Sequence, residues 1–304
     1  GISAGTSLLA QSFMSQSNPG AAPSERQSVV KSPITARVRS YGRVRVSGDQ
    51  EFLASRGGGY YRVLAHNDGL IDGVEEHLID DTVVAVGADG WVTAPARLDH
   101  LVRIFWRDGR DDPTVYAALS AVFPEWDDTH LGKGVAHSFT IFQQPADSND
   151  FSNVFPQAHN TVYKMTMRGA RVWDPRDVDQ SPDDPATWTW SDNAALAILD
   201  YAMHASGLAI PIAWIMPEID AWITAADACD EPVPLKAGGT EPRYRAWGTY
   251  AYDERPADVL SRLIACGAHA VTVRPEFAAG LATDPLTLTA MAQFDRDVET
   301  SQPF

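Results

Sequence analysis

The feature that most constrains this chain is a succession of period-two runs, broken by glycines and aspartate-glycine pairs, between Ser32 and Trp173. In "TVYKMTMRGARVW", Val162, Lys164, Thr166 and Arg168 point one way and Tyr163, Met165 and Met167 the other. That is the pattern of a strand with one buried face. "ITARVRSYGRVRVSG" alternates as well, and Gly42 inside it marks a bulge or bend. "YYRVLAHNDG", "VEEHLIDDTVVAVGADG" and "GVAHSFTIF" read as further strands, with Asp-Gly pairs at 68–69, 72–73, 89–90 and 108–109 making tight turns. "DDPTVYAALSAVF" (111–123) reads as a short helix with Pro113 near its first turn. These runs predict an antiparallel β domain over 32–178 with a helical insertion near 90–134. Residues 1–31 read as an N-terminal arm and linker, with a short helix over 6–17 and then "SNPGAAPSERQ".

Beyond about residue 178 the period changes. "SDNAALAILDYAMHASG" has Ser191 or Asp192 as N-cap, apolar residues at 195, 196, 199, 202 and 203, and Gly207 as terminator. "EIDAWITAADACDE" places Ile219, Trp222, Ile223 and Ala226 on one helical face. "YRAWGTYAY" reads as a strand, and "RPADVLSRLIACG" as a helix from Pro256 at its first turn to Gly267 at C′. "HAVTVRP" and "LTLTAMAQF" read as closing strands. Residues 179–304 are thus expected to be an α+β domain.

Between the two textures lies "RGARVWDPR". Pro175 has no N–H to give a ladder and biases Asp174 away from helix, so the strand ends there. Val172 or Trp173 can pack inward, and Arg176 is placed to pair with a carboxylate across the junction. Trp173, Asp174, Pro175 and Arg176 therefore read as a structural domain joint.

The formal net charge is −16, the wrong balance for a surface that grips duplex DNA through Lys and Arg. Arg37, Arg39, Arg43 and Arg45 crowd the early strands, which allows one basic face inside an acidic whole. Cys229 and Cys266 form no CxxC pair and no disulfide framework, which suits a reducing compartment. No run approaches the roughly 18 apolar residues of a membrane span. The start, "GISAGTSLLAQSFMSQ", lacks both an initiator Met and the basic n-region of a signal peptide. Both ends read as those of a piece of something longer.

Motifs with catalytic potential are each better explained as architecture. "GISAG" matches G-x-S-x-G, but no strand precedes Ser3 to make a nucleophile elbow. Glu75, Glu76, His77, Asp80 and Asp81 lack metal-ligand spacing and read as a solvated strand face and turn, with Glu75 and His77 on one side. "SRGGGYY" is followed by no helix whose amides would cradle a phosphate, and reads as a hairpin loop. Glu125, Asp127 and Asp128 beside Trp126 form the carboxylate cluster that glycoside cleavage would use, if burial split their pKa values. The eight histidines are scattered with no close pair. No catalytic, cofactor-binding or metal-binding residue is assigned.

Several segments, taken in order, resemble a known family. "SPITARVRSYGRVRVSG", "YYRVLAHNDGLIDGVEEHLIDDTVV", "HLGKGVAHSFTIFQQ", "VYKMTMRGARVWDPR" and "WSDNAALAILDYAMHASGLAIP" are similar to the tip attachment, or central hub, proteins of lambda-like long-tailed phages. "IDAWITAADACDEPV" and "RYRAWGTYAYDERPADVLSRLIACGAHAVTV" extend the likeness, which spans about residues 27–275. The resemblance implies an α+β architecture, with an antiparallel β-barrel-like hub domain followed by an α+β hub domain. It implies a non-enzymatic virion protein assembled in the bacterial host cytoplasm, a homotrimer that closes the tail tube and opens for DNA ejection. Implied partners are the distal tail protein and other tail-tip hub proteins, the tape-measure C-terminus, and phage DNA passing without specific binding; no cofactor and no membrane span are implied. The receptor-binding part of such proteins lies beyond the region matched here. The competing readings are a tail-associated cell-wall-degrading hydrolase working through Glu125, Asp127 or His130, and a carbohydrate-binding module that uses the nine tryptophans as stacking platforms, although Trp173, Trp214 and Trp222 lie in strand or helix patterns where core packing is the stronger reading.

Overall fold

A computed structural model describes residues 24–26, 36–110 and 114–266. The expected helix at 6–17, Ser3, Pro113, Gly267 and the two closing strands lie outside the described residues. Fifteen strands are described: β1 (Ser24–Arg26), β2 (Val38–Tyr41), β3 (Arg43–Val46), β4 (Asp49–Arg56), β5 (Gly59–Asp68), β6 (Ile71–Ile79), β7 (Thr82–Val86), β8 (Val92–Ala94), β9 (Val102–Asp108), β10 (Val135–Gln143), β11 (Tyr163–Val172), β12 (Thr189–Trp190), β13 (Pro232–Pro234), β14 (Thr240–Pro242) and β15 (Gly248–Ala251). Interspersed are helices α1 (Ala117–Ser120), α2 (Phe151–Val154), α3 (Ala194–Met203), α4 (Ile212–Ile215), α5 (Ile219–Asp230) and α6 (Pro256–Ala265).

Two sheets form the first region. One runs β1-β3-β11-β6-β7-β8, with β12 added to β11; the other runs β4-β5-β10-β9. Apart from the parallel β1–β3 pair, neighbours are antiparallel. The sheets meet face to face. Val44, Val46, Tyr163, Met165 and Met167 from the first share a core with Leu64, Val102, Ile104 and Phe142 from the second. Burying each such side chain is worth ~1.5–3 kcal/mol. A second core, on the other face of the four-stranded sheet, joins Tyr61, Val63 and Phe139 to Tyr116, Leu119 and Phe123 around α1. The result is a mixed α+β fold of mostly antiparallel sheets.

Three expectations need correction. Among the described residues no sheet closes into a barrel: a barrel needs its first and last strands paired, and these sheets end at β1 and β8 and at β4 and β9. The insertion near 90–134 is less helical than expected. "VRIFWRD" is strand β9, because its period of two sends Val102 and Ile104 into one core and Phe105 against the other, and among the described residues of that stretch only 117–120 is α-helical. Strand β11, finally, is covered on both faces. Tyr163, Met165 and Met167 are fully buried on one; Lys164 and Thr166 are also buried, satisfied by Asp81 at 2.9 Å and Glu76 at 2.9 Å.

In the second region Asn193, rather than Ser191 or Asp192, caps α3: its Oδ1 accepts from the backbone N–H of Ala195 (3.0 Å) and Leu196 (3.3 Å). Its Nδ2 donates to the carbonyl of Ala226 on α5 at 2.8 Å, tying the two helices together. The capping residue's second function selects Asn over its neighbours. Helices α3, α5 and α6 pack in one core that also takes in Tyr41, Ala170, Val172 and Trp173 from the sandwich side.

Candidate functional site

The joint between the two regions is built twice. The first part is the one expected from sequence. Strand β11 ends with Val172 and Trp173, which are 1% and 6% exposed and sit in the helical core. Asp174 then accepts from the backbone N–H of Arg176 at 3.0 Å and from its Nε at 2.9 Å. Arg176 reaches α5, with Nη1 3.1 Å from Asp227 and Nη2 2.9 Å from Asp230. The hydrogen bond to Asp174 raises the Arg176 pKa, burial works against it, and the bonds to Asp227 and Asp230 raise it further. Pro175 sits at the turn between the paired residues.

The second part was not legible. Strand β15, more than two hundred residues along the chain, pairs antiparallel with β2, setting Ser40 opposite Thr249 and Arg39 opposite Tyr250. Gly42 follows β2 with φ +63°, and a Cβ there would meet the Ala246 carbonyl oxygen at 2.2 Å. Gly169 on β11 is as tightly held, with the Ser40 carbonyl oxygen 2.4 Å from where its Cβ would be. Glycine at both places lets three backbones converge.

Within this convergence Arg39 donates from Nε and Nη2 to the two oxygens of Asp200 on α3, at 2.9 and 3.0 Å. Tyr41 donates from its hydroxyl to Asp200 Oδ2 at 2.6 Å. The ion-paired side chains are 7% and 2% exposed. Burial pulls the Arg39 guanidinium down, but the Asp200 charge and its hydrogen bonds win, and the net displacement is upward. Burial pushes the Tyr41 phenol well up, and the Asp200 charge pushes it further, so it remains a donor. Around this triad Tyr41 stacks on Tyr250 (5.9 Å between centroids) and Tyr201 meets Tyr250 edge-on (5.0 Å). Asp68 closes the rim, accepting from Tyr252 Oη at 2.8 Å and Arg37 Nη1 at 2.9 Å. The only trace of this in the sequence is Asp200, a charge within an otherwise apolar stretch of helix.

The other residues singled out fall as follows. Arg37, Arg39, Arg43 and Arg45 pair with Asp68, Asp200, Glu75 and Glu76, so they form ion pairs rather than one free basic face. Glu75 and His77 are not simple alternating neighbours, because the β6–β11 register shifts between Thr166 and Met167. His77 is half-buried with Nδ1 2.8 Å from Tyr163 Oη, and burial pushes its pKa down to about 4. Asp127 accepts from Thr129 Oγ1 at 2.6 Å and lies 3.2 Å from His130 Nδ1. The Thr129 hydroxyl, then its backbone N–H and His130, hold Asp127 down to about 2. A glycosidase acid needs displacement in the other direction. Trp126 lies between Phe52 (5.0 Å) and His130 (4.9 Å). Trp173 is buried, Trp222 packs against the helical core, and Trp214 is 38% exposed. No group of His, Cys, Asp and Glu suited to a metal ion occurs among the described residues, and no described helix is long and apolar enough to cross a membrane.

No protein-family model matches the chain, and no curated protein matches it. Among solved structures it is similar to a chain in the virion of a native gene transfer agent particle, at 15% identity and a TM-score of 0.40. That match covers 80% of this chain and 49% of the other, so the chain spans about half of that chain's length.

Proposed function

We propose that this chain is a non-enzymatic structural subunit of a phage tail tip, the trimeric central hub that closes the tail tube. In this reading it joins the distal tail and tape-measure proteins to the receptor-binding tip, and opens for DNA ejection. Its place is the virion, after assembly in the host cytoplasm. DNA passes without specific binding, because an acidic or neutral lining avoids the counterion-release affinity of basic patches.

Two things support the reading. One is the ordered likeness of the segments across residues 27–275 to tail-tip hub proteins. The observation that carries it in three dimensions is the Arg39–Asp200–Tyr41 joint, which knits the sandwich to the helical core by buried ionic contacts and a shared strand pair. A joint of that kind resists hinging between the two regions, which suits a structural subunit. Mass photometry of the purified chain at particle-like concentrations, with image symmetry of assembled tails, tests the proposal. A threefold assembly is expected. A stable monomer whose cell-wall-degrading activity is lost on substitution of Glu125, Asp127 or His130 would overturn it in favour of the hydrolase.

A further inference from the structure

On β5, alternation puts Tyr60, Arg62 and Leu64 on one face, and Leu64 lies in the core between the sheets with Tyr60 packed against it. An arginine among them is out of keeping with that face. Arg62 is 4% exposed, and its guanidinium carbon lies 4.8 Å from the centre of the Tyr60 ring and 5.3 Å from that of Phe142. Burial holds its pKa below the usual guanidinium value, with Tyr60 and Asp80 opposing the shift.

The same arginine lines a cavity of about 390 Å³ beside the β4–β5 hairpin and the end of β10. Tyr60, Phe142, Phe151 and Phe155 make its aromatic walls. At the mouth, Gly57 and Gly58 present no side chains, and Gln144 is exposed. Among the described residues no carboxylate lines this cavity, although the chain as a whole carries a formal net charge of −16. Its charged lining residues are Arg62 and Arg56, and Arg56 is turned to the Val122 carbonyl and the Phe123 ring.

We propose that this cavity binds an aromatic carboxylate, its ring among Phe142, Phe151 and Phe155 and its carboxylate drawn to Arg62. Three features select that class. The volume suits a single ring with a short chain and lies in the range of small-molecule sites. A guanidinium stacked on rings donates in its own plane through a fork that both oxygens of a planar carboxylate can meet. A lining with a single deep guanidinium suits a ligand with one charged end. Arg62 also has partners inside the protein, but a guanidinium carries five N–H donors and can share them. The inference does not depend on the tail-tip reading.

Two-dimensional NMR titration of the full chain with 3-phenylpropionate, 3-phenylpropanamide and phenyl phosphate tests it. The carboxylate is expected to bind saturably at millimolar concentration or below, with shifts confined to the cavity. The amide has the same shape without the charge and should bind roughly tenfold more weakly or worse. Arg62→Met should erase the difference between acid and amide. Gln144→Trp, on the exposed rim, leaves the core and Arg62 in place and should block the cavity, so it serves if Arg62→Met does not fold. Equal binding of acid and amide, tighter binding of phenyl phosphate, undiminished binding to Gln144→Trp, or no binding at several millimolar would each overturn the proposal.

Discussion

Two arginine–carboxylate contacts fasten the sandwich to the helices, and they differ chiefly in their access to water. Arg39 meets Asp200 at 2.9 Å with side chains 7% and 2% exposed. Arg176 meets Asp227 and Asp230 at 3.1 and 2.9 Å, and those carboxylates are 65% and 43% exposed. Distance alone would rank the two contacts equal. The surroundings separate them. The exposed pair is screened and costs side-chain entropy, so it contributes ~0–1 kcal/mol. The buried pair has given up hydration on both sides, so it adds little net stability while making the loss of either partner expensive. The buried contact is therefore expected to restrict the arrangement of the two regions more than the exposed one does.

The sharpest way to break that comparison is to strand one charge. Asp200→Ala leaves the Arg39 guanidinium and the Tyr41 hydroxyl buried without their acceptor, and should cost ~3–5 kcal/mol in urea unfolding. Arg39→Met combined with Asp200→Leu removes both charges and should recover most of that loss. A double variant as unstable as the single one would show that the pair stabilises outright.

Next in size is Trp173, whose packing belongs to the same core. Trp173→Ala opens a cavity and should cost ~3 kcal/mol, toward the lower end for such truncations. The reason is that the indole Nε1 is buried without an acceptor, a desolvation cost of ~1 kcal/mol that the substitution relieves. Trp173→Phe should for the same reason fall within ~1 kcal/mol of the parent. A Phe variant as damaged as the Ala variant would mean that the indole N–H has a partner after all.

The two joints also mark what is legible in the sequence and what is not. Trp173 to Arg176 lie in one short stretch, where a strand pattern stops at Asp-Pro, so local rules are enough to place a chain turn there. Helices α3, α5 and α6 carried their own periodicity and punctuation in the same way. Arg39 and Asp200 are 161 residues apart, and nothing near Arg39 distinguishes it from Arg37 or Arg43. Arg39 reaches Asp200 through long-range packing that includes the β2–β15 pairing, and pairing between distant strands has no local signature. The expected barrel failed for a related reason, since closure depends on which edge strands meet. Strand β9 escapes a sequence reading because Ile104, Phe105 and Trp106 run together without a polar residue between them, which blurs the alternation of "VRIFWRD". Cavity-lining Arg62 was hidden because an arginine in an alternating run reads as solvent-facing until the second sheet is laid over it.

Within the sandwich, pH probes burial without mutation. His66 is 1% exposed, bonded through Nε2 to Ser138 Oγ at 2.7 Å and edge-on to Tyr163. Burial, with His137 and His77 nearby, pushes its pKa down to about 3. In the unfolded chain it titrates near 6.5. The unfolded state therefore binds a proton that the folded state refuses between these values, and stability falls as pH drops through 6.5 toward 3. At pH 5 the loss relative to pH 7 should be about 2 kcal/mol from this residue as an upper value. His66→Leu should flatten the slope of unfolding free energy against pH over that window. An unchanged slope would assign the acid sensitivity to other groups.

The smallest effects belong to the exposed joint, and they decide whether burial is the right variable. Arg176→Ala should cost less than ~1 kcal/mol, and that cost should shrink further in ~0.5 M salt, where the parent's pairs to Asp227 and Asp230 are already screened. The backbone N–H of Arg176 still donates to Asp174 at 3.0 Å in that variant, so the turn keeps its shape. Pro175→Ala acts through the unfolded chain and should cost about 0.4–1 kcal/mol. If Arg176→Ala instead matched Asp200→Ala in unfolding free energy and showed no salt dependence, the three-carboxylate cluster at Arg176 would be acting as a desolvated unit. The two joints would then be equivalent in kind, and the difference in exposure would not explain what holds the regions together.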